Sequence, residues 1–381
     1  MYEPYKQHLS KMHSTGKHRK LPDLEQAKKK SYINFSTNDY LMLSRNHEVI
    51  EAAQSAAKAY GVGSTGSRLL SGNNNLCESL EAKVAQDKNE ETCLIFNSGF
   101  QANLSVLAAL LDSKVLAEKP MVFFDKSNHS SLYQAVFLSK AELIRYKHND
   151  MEHLGCLLDK YKNDRRLKFI VTETIFGMEG DILPIHEIVS LASKYQAFLY
   201  LDEAHATGIV GCHGYGLSTT LDLKHIPHVT MGTFSKALGC SGGYIACSTI
   251  LKDYLINKAA GFIYSTAASP ILIGAVYKAW DMIKDFDEER KNLLFLSATL
   301  RKNLLDIGLN IGTSNSHIIS VILGSQDLAT KFAEKLLKNN IIVSCIRPPT
   351  VQPGSSRIRI AINVSHKVQD IEDLVNALGT L

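Results

Sequence analysis

Ala197-Phe-Leu-Tyr-Leu-Asp202-Glu203-Ala204-His205 joins an apolar run to two acids and an imidazole. His228-Val-Thr-Met-Gly-Thr233-Phe234-Ser235-Lys236 follows the same plan and ends on a lysine. Each run is short, with the aromatic and β-branched side chains of a buried strand. The acid, the imidazole and the lysine therefore fall at strand ends, where open α/β sheets bind ligands. Around these two runs the chain alternates. Strands are predicted at 92–96, 121–124 and 168–172, and helices at 48–60, 76–87, 101–111, 130–138 and 186–195. Such alternation predicts an α/β fold with a mostly parallel sheet covered on both faces.

Residues 243–247 are expected to add an edge strand, and 270–305 to form one long helical stretch leading out of the sheet. Beyond it come a strand at 317–323, a helix at 328–338, strands at 341–344 and 357–362, and a helix at 368–378. That pattern describes a smaller α+β unit. The expected organisation is an N-terminal arm over 1–45, a large α/β domain over 46–275 and a small C-terminal α+β domain over 276–381.

The chain has 381 residues, enough for two domains, and a net charge of only +4 argues against nucleic acid as a partner. Its basic residues cluster early, at Lys17, Arg19, Lys20 and Lys28-Lys29-Lys30, and read as a solvated helical arm. Seven scattered cysteines contain no C-x-x-C pair, so neither a metal site nor a disulfide framework is expected. The start lacks the apolar core of a signal peptide, and no run approaches the roughly 18 residues of a membrane span. A cytoplasmic protein without a membrane partner is the expectation.

Two competing motifs lose on context. Gly61-Val-Gly63-Ser-Thr-Gly66 fits a dinucleotide fingerprint, but a helix precedes it where a strand is required. A glycine-rich loop near the active site is the better reading. Asp202-Glu-Ala-His205 is similar to a helicase acidic box, yet the chain has no Gly-x-x-x-x-Gly-Lys-Ser/Thr loop. What remains is chemistry suited to pyridoxal phosphate (PLP). A lysine forms the Schiff base, and an acid keeps the pyridine nitrogen protonated so that the ring acts as an electron sink.

Ordered blocks carry a family resemblance from about Ile33 to the C-terminus. They are Asn34-Phe-Ser-Thr-Asn-Asp-Tyr-Leu41, Gly63-Ser-Thr-Gly-Ser-Arg-Leu-Leu-Ser-Gly72, Asn97-Ser-Gly-Phe-Gln-Ala-Asn103, Asn128-His-Ser-Ser-Leu132, Asp202-Glu-Ala-His-Ala-Thr-Gly208, Thr233-Phe-Ser-Lys-Ala-Leu-Gly239 and Tyr264-Ser-Thr266. Together they resemble the α-oxoamine synthases, PLP-dependent acyltransferases with the aspartate-aminotransferase-like fold (fold type I). Within the family, Ile346-Arg-Pro-Pro-Thr-Val351 and Arg357-Ile-Arg359 look most like the branch that condenses L-alanine with a pimeloyl thioester, of coenzyme A or acyl carrier protein, in biotin synthesis. Glycine-using branches share the core motifs.

The resemblance implies a role for each matching residue. Lys236 would hold PLP and act as base at the amino-acid Cα; Asp202 would pair with the pyridine nitrogen. His205 would bond the ring's phenolic oxygen, and His129 would stack on the ring. Ser98, Gly99, Phe100, Thr233 and Ser235 would hold the phosphate. Ser265 and Thr266 would reach it from the partner subunit, implying a homodimer with shared active sites. Arg359, or Arg357 on the same face, would take the amino-acid carboxylate, assisted by Asn38. Arg347 and Arg19 would meet the distal carboxylate or the carrier. Two departures stand out: Gly177 replaces a more usual serine near the cofactor, and Met42 replaces a glycine and is expected to narrow the substrate channel.

Overall fold

The computed structural model describes residues 1–16, 18–19, 21 and 32–379. Lys17, Lys20 and Lys28-Lys29-Lys30, most of the expected basic arm, lie outside the described residues. The chain forms two compact units.

The larger unit comprises Asn38–Gly177 and Ile182–Lys291. Its seven strands are β1 (Thr92–Phe96), β2 (Met121–Asp125), β3 (Glu142–Tyr146), β4 (Lys168–Glu173), β5 (Phe198–Asp202), β6 (His228–Thr233) and β7 (Gly243–Cys247). Their order in the sheet is β1-β7-β6-β5-β4-β2-β3. Side chains are buried along nearly the whole of β1, β2, β4, β5, β6 and β7. Burial on both faces explains why these runs do not alternate with polar residues. On one face Val122, Phe124, Tyr200 and Met231 pack with Ala102 and Val106 of the helix Gly99–Leu110. On the other, Phe123, Ile170 and Leu199 pack with Leu154, Leu158 and Ile188.

Four expectations change. β7 is not an edge strand: it lies between β6 and β1, antiparallel to both. The chain returns after Lys236 through a short turn in which Phe234 N–H donates to Gly242 O at 3.0 Å. So short a connection can only place the next strand antiparallel and adjacent. β3 and the helix Met151–Lys160 were not expected, because β3 is a half-exposed edge whose Glu-Leu-Ile-Arg-Tyr sequence carries a weak apolar signal. The stretch 270–305 is broken into Pro270–Met282, a 3-10 turn at Ile283–Asp285, and Asp287–Asp306. Asp287, Glu288 and Glu289 suit the N-terminus of a new helix. The boundary expected near residue 275 lies inside Pro270–Met282, which packs on the helix His47–Tyr60, and the larger unit runs on to Lys291.

The smaller unit comprises Met1–Thr37, Met178–Asp181 and Asn292–Leu381. Its antiparallel sheet contains β8 (Ile318–Gly324), β9 (Ser344–Ile346) and β10 (Ser356–Ala361), in the order β9-β10-β8. Ile33–Asn34 pairs in parallel with Ile341–Ile342, which ties the N-terminal segment into this unit. Among the described residues, no helix is long and apolar enough to cross a membrane.

Candidate active site

Parallel register brings the ends of β4, β5 and β6 level: Asp202 is opposite Glu173 on one side and Met231 on the other. Asp202 is 3% exposed. Its Oδ1 accepts from Ala204 N–H at 2.9 Å and its Oδ2 from Asn103 Nδ2 at 2.7 Å. The adjacent acid has a different fate. Glu203 is fully buried and accepts from Lys88 Nζ, Ser218 N–H at 2.8 Å and Ser218 Oγ at 2.8 Å. A buried carboxylate so fully paired is a structural anchor.

His129 opens the helix Ser130–Ser139. Its backbone N–H donates to Glu173 Oε1, which ties this loop to the end of β4. Its ring stands edge-on to Phe100, with centroids 6.5 Å apart. The His129 imidazole is held below its ordinary range, chiefly by desolvation, with Asp202 pulling it up and Lys236 pushing it down. Asp202 and Lys236 thus both lie within electrostatic reach of His129.

Lys236 sits in the turn after β6, where Thr233 Oγ1 donates to Gly242 O at 2.7 Å and lies 2.8 Å from Ser235 Oγ. Gly99 packs against Thr233: a Cβ there would lie 3.5 Å from Thr233 Oγ1. Ser98 Oγ caps the helix Gly99–Leu110 by accepting from Gln101 N–H at 3.1 Å. The amides of Gly99 and Phe100 lie in the first turn, where a helix has no internal acceptors for them and favours an anion. Ser265 and Thr266 lie beside this corner in the same chain. Asn97 Nδ2 donates to Ser265 Oγ at 3.2 Å and to Thr266 O at 2.8 Å. The glycine-rich loop packs on that segment, with Ala267 N–H donating to Gly66 O at 2.9 Å.

His205 is 8% exposed, and its Nδ1 lies 2.8 Å from Tyr40 Oη, which also donates to Asn38 Oδ1 at 3.1 Å. Gly177 abuts this ring: a Cβ at 177 would stand 2.4 Å from His205 Nε2. Met42 is in the left-handed region, φ 55° and ψ 31°, which is where a glycine is at ease.

The arginines belong to the smaller unit. Arg357 is committed within it: Nε donates to Ser355 O at 3.2 Å, Nη1 to Met178 O at 3.1 Å, and Glu179 Oε1 is 3.5 Å away. Arg359 follows on the same face of β10 and is also buried. Arg19 Nη2 donates to Thr350 Oγ1 at 2.8 Å, and Arg347 Nη1 to Gly16 O at 3.3 Å. The sequence reading missed Asn103, Ser131 and Tyr200, which bond around Asp202 and His129. Asn103 ends a block already noticed, and a buried amide on an apolar helix face was the available signal.

This donor set suits PLP. An amine, a buried carboxylate, two hydroxyls and a helix N-terminus are the groups that an aldehyde, a pyridinium and a phosphate require. The chain belongs to the aminotransferase class I and II family, whose model matches residues 30–378. It is a PLP-dependent enzyme of α-oxoamine synthase type. A protein of Paramagnetospirillum magneticum, provisionally named 8-amino-7-oxononanoate synthase, is 44% identical over 91% of this chain and 87% of its own. Among solved structures, serine palmitoyltransferase of Sphingomonas wittichii matches with a TM-score of 0.88 at 26% identity, over 100% of this chain and 96% of that one. The 8-amino-7-oxononanoate synthase of Francisella tularensis matches with a TM-score of 0.79 at 28% identity, over 92% and 97%.

Proposed function

We propose that the enzyme condenses L-alanine with a pimeloyl thioester of coenzyme A or acyl carrier protein, releasing carbon dioxide and the carrier thiol and forming 8-amino-7-oxononanoate. The observation that carries it is the convergence of Asp202, His129 and Lys236 at the strand ends of the larger unit, joined to the names of the relatives. Bound PLP supplies the electron sink for the carbanion at the amino-acid Cα. The chain supplies the rest. Lys236 would anchor the cofactor, and its amine would remove the amino-acid Cα proton and return a proton to that carbon after decarboxylation. Asp202 would hold the positive charge at the ring nitrogen, His205 would bond the phenolic oxygen, and His129 would stack on the ring. Amides of Gly99 and Phe100, with the hydroxyls of Ser98, Thr233 and Ser235, hold the phosphate.

Arg359, or Arg357 on the same face of β10, takes the alanine carboxylate, because a guanidinium fork matches a carboxylate bidentately. Asn38 assists, and Arg347 and Arg19 meet the distal carboxylate or the carrier. A homodimer would share its sites, with Ser265 and Thr266 of the partner subunit at each phosphate.

The test is release of free thiol from pimeloyl-coenzyme A with L-alanine, glycine and L-serine in turn, with the product identified by mass. Alanine should give the highest kcat/KM, and Lys236→Ala should abolish turnover. A preference for serine or glycine would move the enzyme to another α-oxoamine branch, a reading that the likeness to serine palmitoyltransferase favours.

A further inference from the structure

Asp202 and His129 are two ends of one hydrogen-bonded chain, and its centre is Asn103. Asn103 is 1% exposed, and its neighbours Ser131 and Tyr200 are fully buried. Asn103 Nδ2 donates to Asp202 Oδ2 at 2.7 Å and to Ser131 Oγ at 3.0 Å, while its Oδ1 accepts from Tyr200 Oη at 2.8 Å. Ser131 Oγ is 2.8 Å from His129 Nδ1, and Ser131 N–H donates to the same nitrogen at 3.3 Å.

The direction of every bond follows from these partners. Burial, with the Asp202 charge nearby, keeps the Tyr200 phenol protonated, so it donates. Turning the Asn103 amide over would set its carbonyl oxygen against the Asp202 carboxylate, so Nδ2 must face the acid. Ser131 Oγ accepts from Asn103 and has its own proton left for His129. A backbone N–H can only donate. Nδ1 of His129 therefore receives two donors and carries a lone pair, which places the ring proton of the neutral imidazole on Nε2.

We infer that Asn103 is a positioning residue that fixes the Asp202 carboxylate directly and, through Ser131, imposes the Nε2–H tautomer on His129. The inference deepens the proposed function and rests on its placing of Asp202 and His129 at the cofactor ring. One side chain thus sets two ring contacts, one against the nitrogen and one against the face. The arrangement needs no group from outside the larger unit, since all five residues belong to it. It also divides the labour of the two elements involved: the helix Gly99–Leu110 carries both the phosphate amides at its first turn and, one turn on, the amide that holds the acid.

The test reads the cofactor-free protein, labelled with ¹⁵N-histidine, by long-range ¹H–¹⁵N correlation, with His129 assigned by its loss in His129→Gln. The wild type should show neutral Nε2–H at His129. Ser131→Ala leaves only the long 3.3 Å backbone donor at Nδ1 and should admit a measurable Nδ1–H population, and Ser131→Thr, which keeps the hydroxyl, should restore the single tautomer. Asn103→Leu should lose the single tautomer and also weaken PLP binding at least tenfold, the loss of one hydrogen bond to a charged group. Should Asn103→Leu not fold, Tyr200→Phe removes only the donor to Oδ1 and should loosen both readouts in the same sense. An unchanged Nε2–H signal in folded Ser131→Ala would overturn the relay. Wild-type PLP affinity in folded Asn103→Leu would overturn the Asp202 limb. The tautomer readout involves neither cofactor nor substrate, so failure of the alanine and pimeloyl assignment would leave it unchanged.

Discussion

Gly177→Ala should destabilise the larger unit, and His205 is the reason. A Cβ at 177 would stand 2.4 Å from Nε2, 3.0 Å from Cδ2 and 3.1 Å from Cε1 of the imidazole. Carbon contacts are comfortable near 3.5–4.0 Å, so the ring must move by about 1 Å. His205 is buried and its Nδ1 is 2.8 Å from Tyr40 Oη, so this movement stretches a good hydrogen bond. Overpacking costs about 1–3 kcal/mol, and the weakened bond adds about 1 kcal/mol. Against that, replacing glycine restricts the unfolded chain and returns about 0.4–1 kcal/mol. The backbone at 177 is not among the positive-φ glycines, so strain adds nothing. The net expectation is a loss of about 1–3 kcal/mol. Urea unfolding followed by Trp280 emission measures it well. Trp280 is the single tryptophan, is fully buried, and stacks on Tyr215 with ring centroids 5.1 Å apart in the larger unit. In a His205→Ala background the steric cost should vanish and leave the gain of about 0.4–1 kcal/mol from the unfolded chain, so the coupling energy should exceed the net penalty by that amount. Equal or greater stability of Gly177→Ala in the wild-type background, or an undiminished penalty in the His205→Ala background, would refute the argument.

Met42→Gly should stabilise the protein by about 0.5–1 kcal/mol, since relief of left-handed strain outweighs the added freedom of the unfolded glycine, and the Met42 side chain is 39% exposed. A lower urea midpoint for Met42→Gly would contradict this. Lys88→Met should cost about 3–5 kcal/mol by leaving the Glu203 carboxylate buried without its cation, and adding Glu203→Gln should recover part of the loss; equal stability of the two variants would show the charge is not the cause. The pH dependence of stability should carry the mark of His366, which stacks on Phe35 and whose desolvation pushes its pKa down to about 4. Its folded pKa lies below the unfolded value near 6.5, so the unfolded chain binds the extra proton first. The stability it contributes is full above about pH 6.5 and falls between there and about pH 4, by about 3 kcal/mol in all. Denaturation across that window should steepen accordingly, and His366→Phe should flatten it.

The central strands were legible because a strand buried on both faces must be apolar throughout, and Phe198–Asp202 and His228–Thr233 end where polarity begins. The place of β7 was not legible, because an antiparallel return and an edge strand have the same local sequence. What decides is the Gly242 turn, closed by Thr233 and Phe234 onto one carbonyl. β3 was lost for the opposite reason, since an exposed edge need not look like a strand. The titratable groups at Asp202, His205 and Lys236 stood out because each follows an apolar run.

Their supports did not stand out. Asn103, Ser131 and Tyr200 lie on two helices and a strand, and only packing against the sheet makes them neighbours. Asp202 and Glu203 show the limit most sharply. They are adjacent carboxylates, one ending β5 and the other the next residue along. Successive side chains of a strand point to opposite faces, so one sequence position separates two environments. The helix Gly99–Leu110 offers Asp202 an amide donor and leaves its charge to act on a ligand. Lys88, just past the helix Asn75–Asp87, offers Glu203 a cation and uses its charge up. Chemistry at this site is assigned by what packs on each face, and an acid's identity alone does not carry that information.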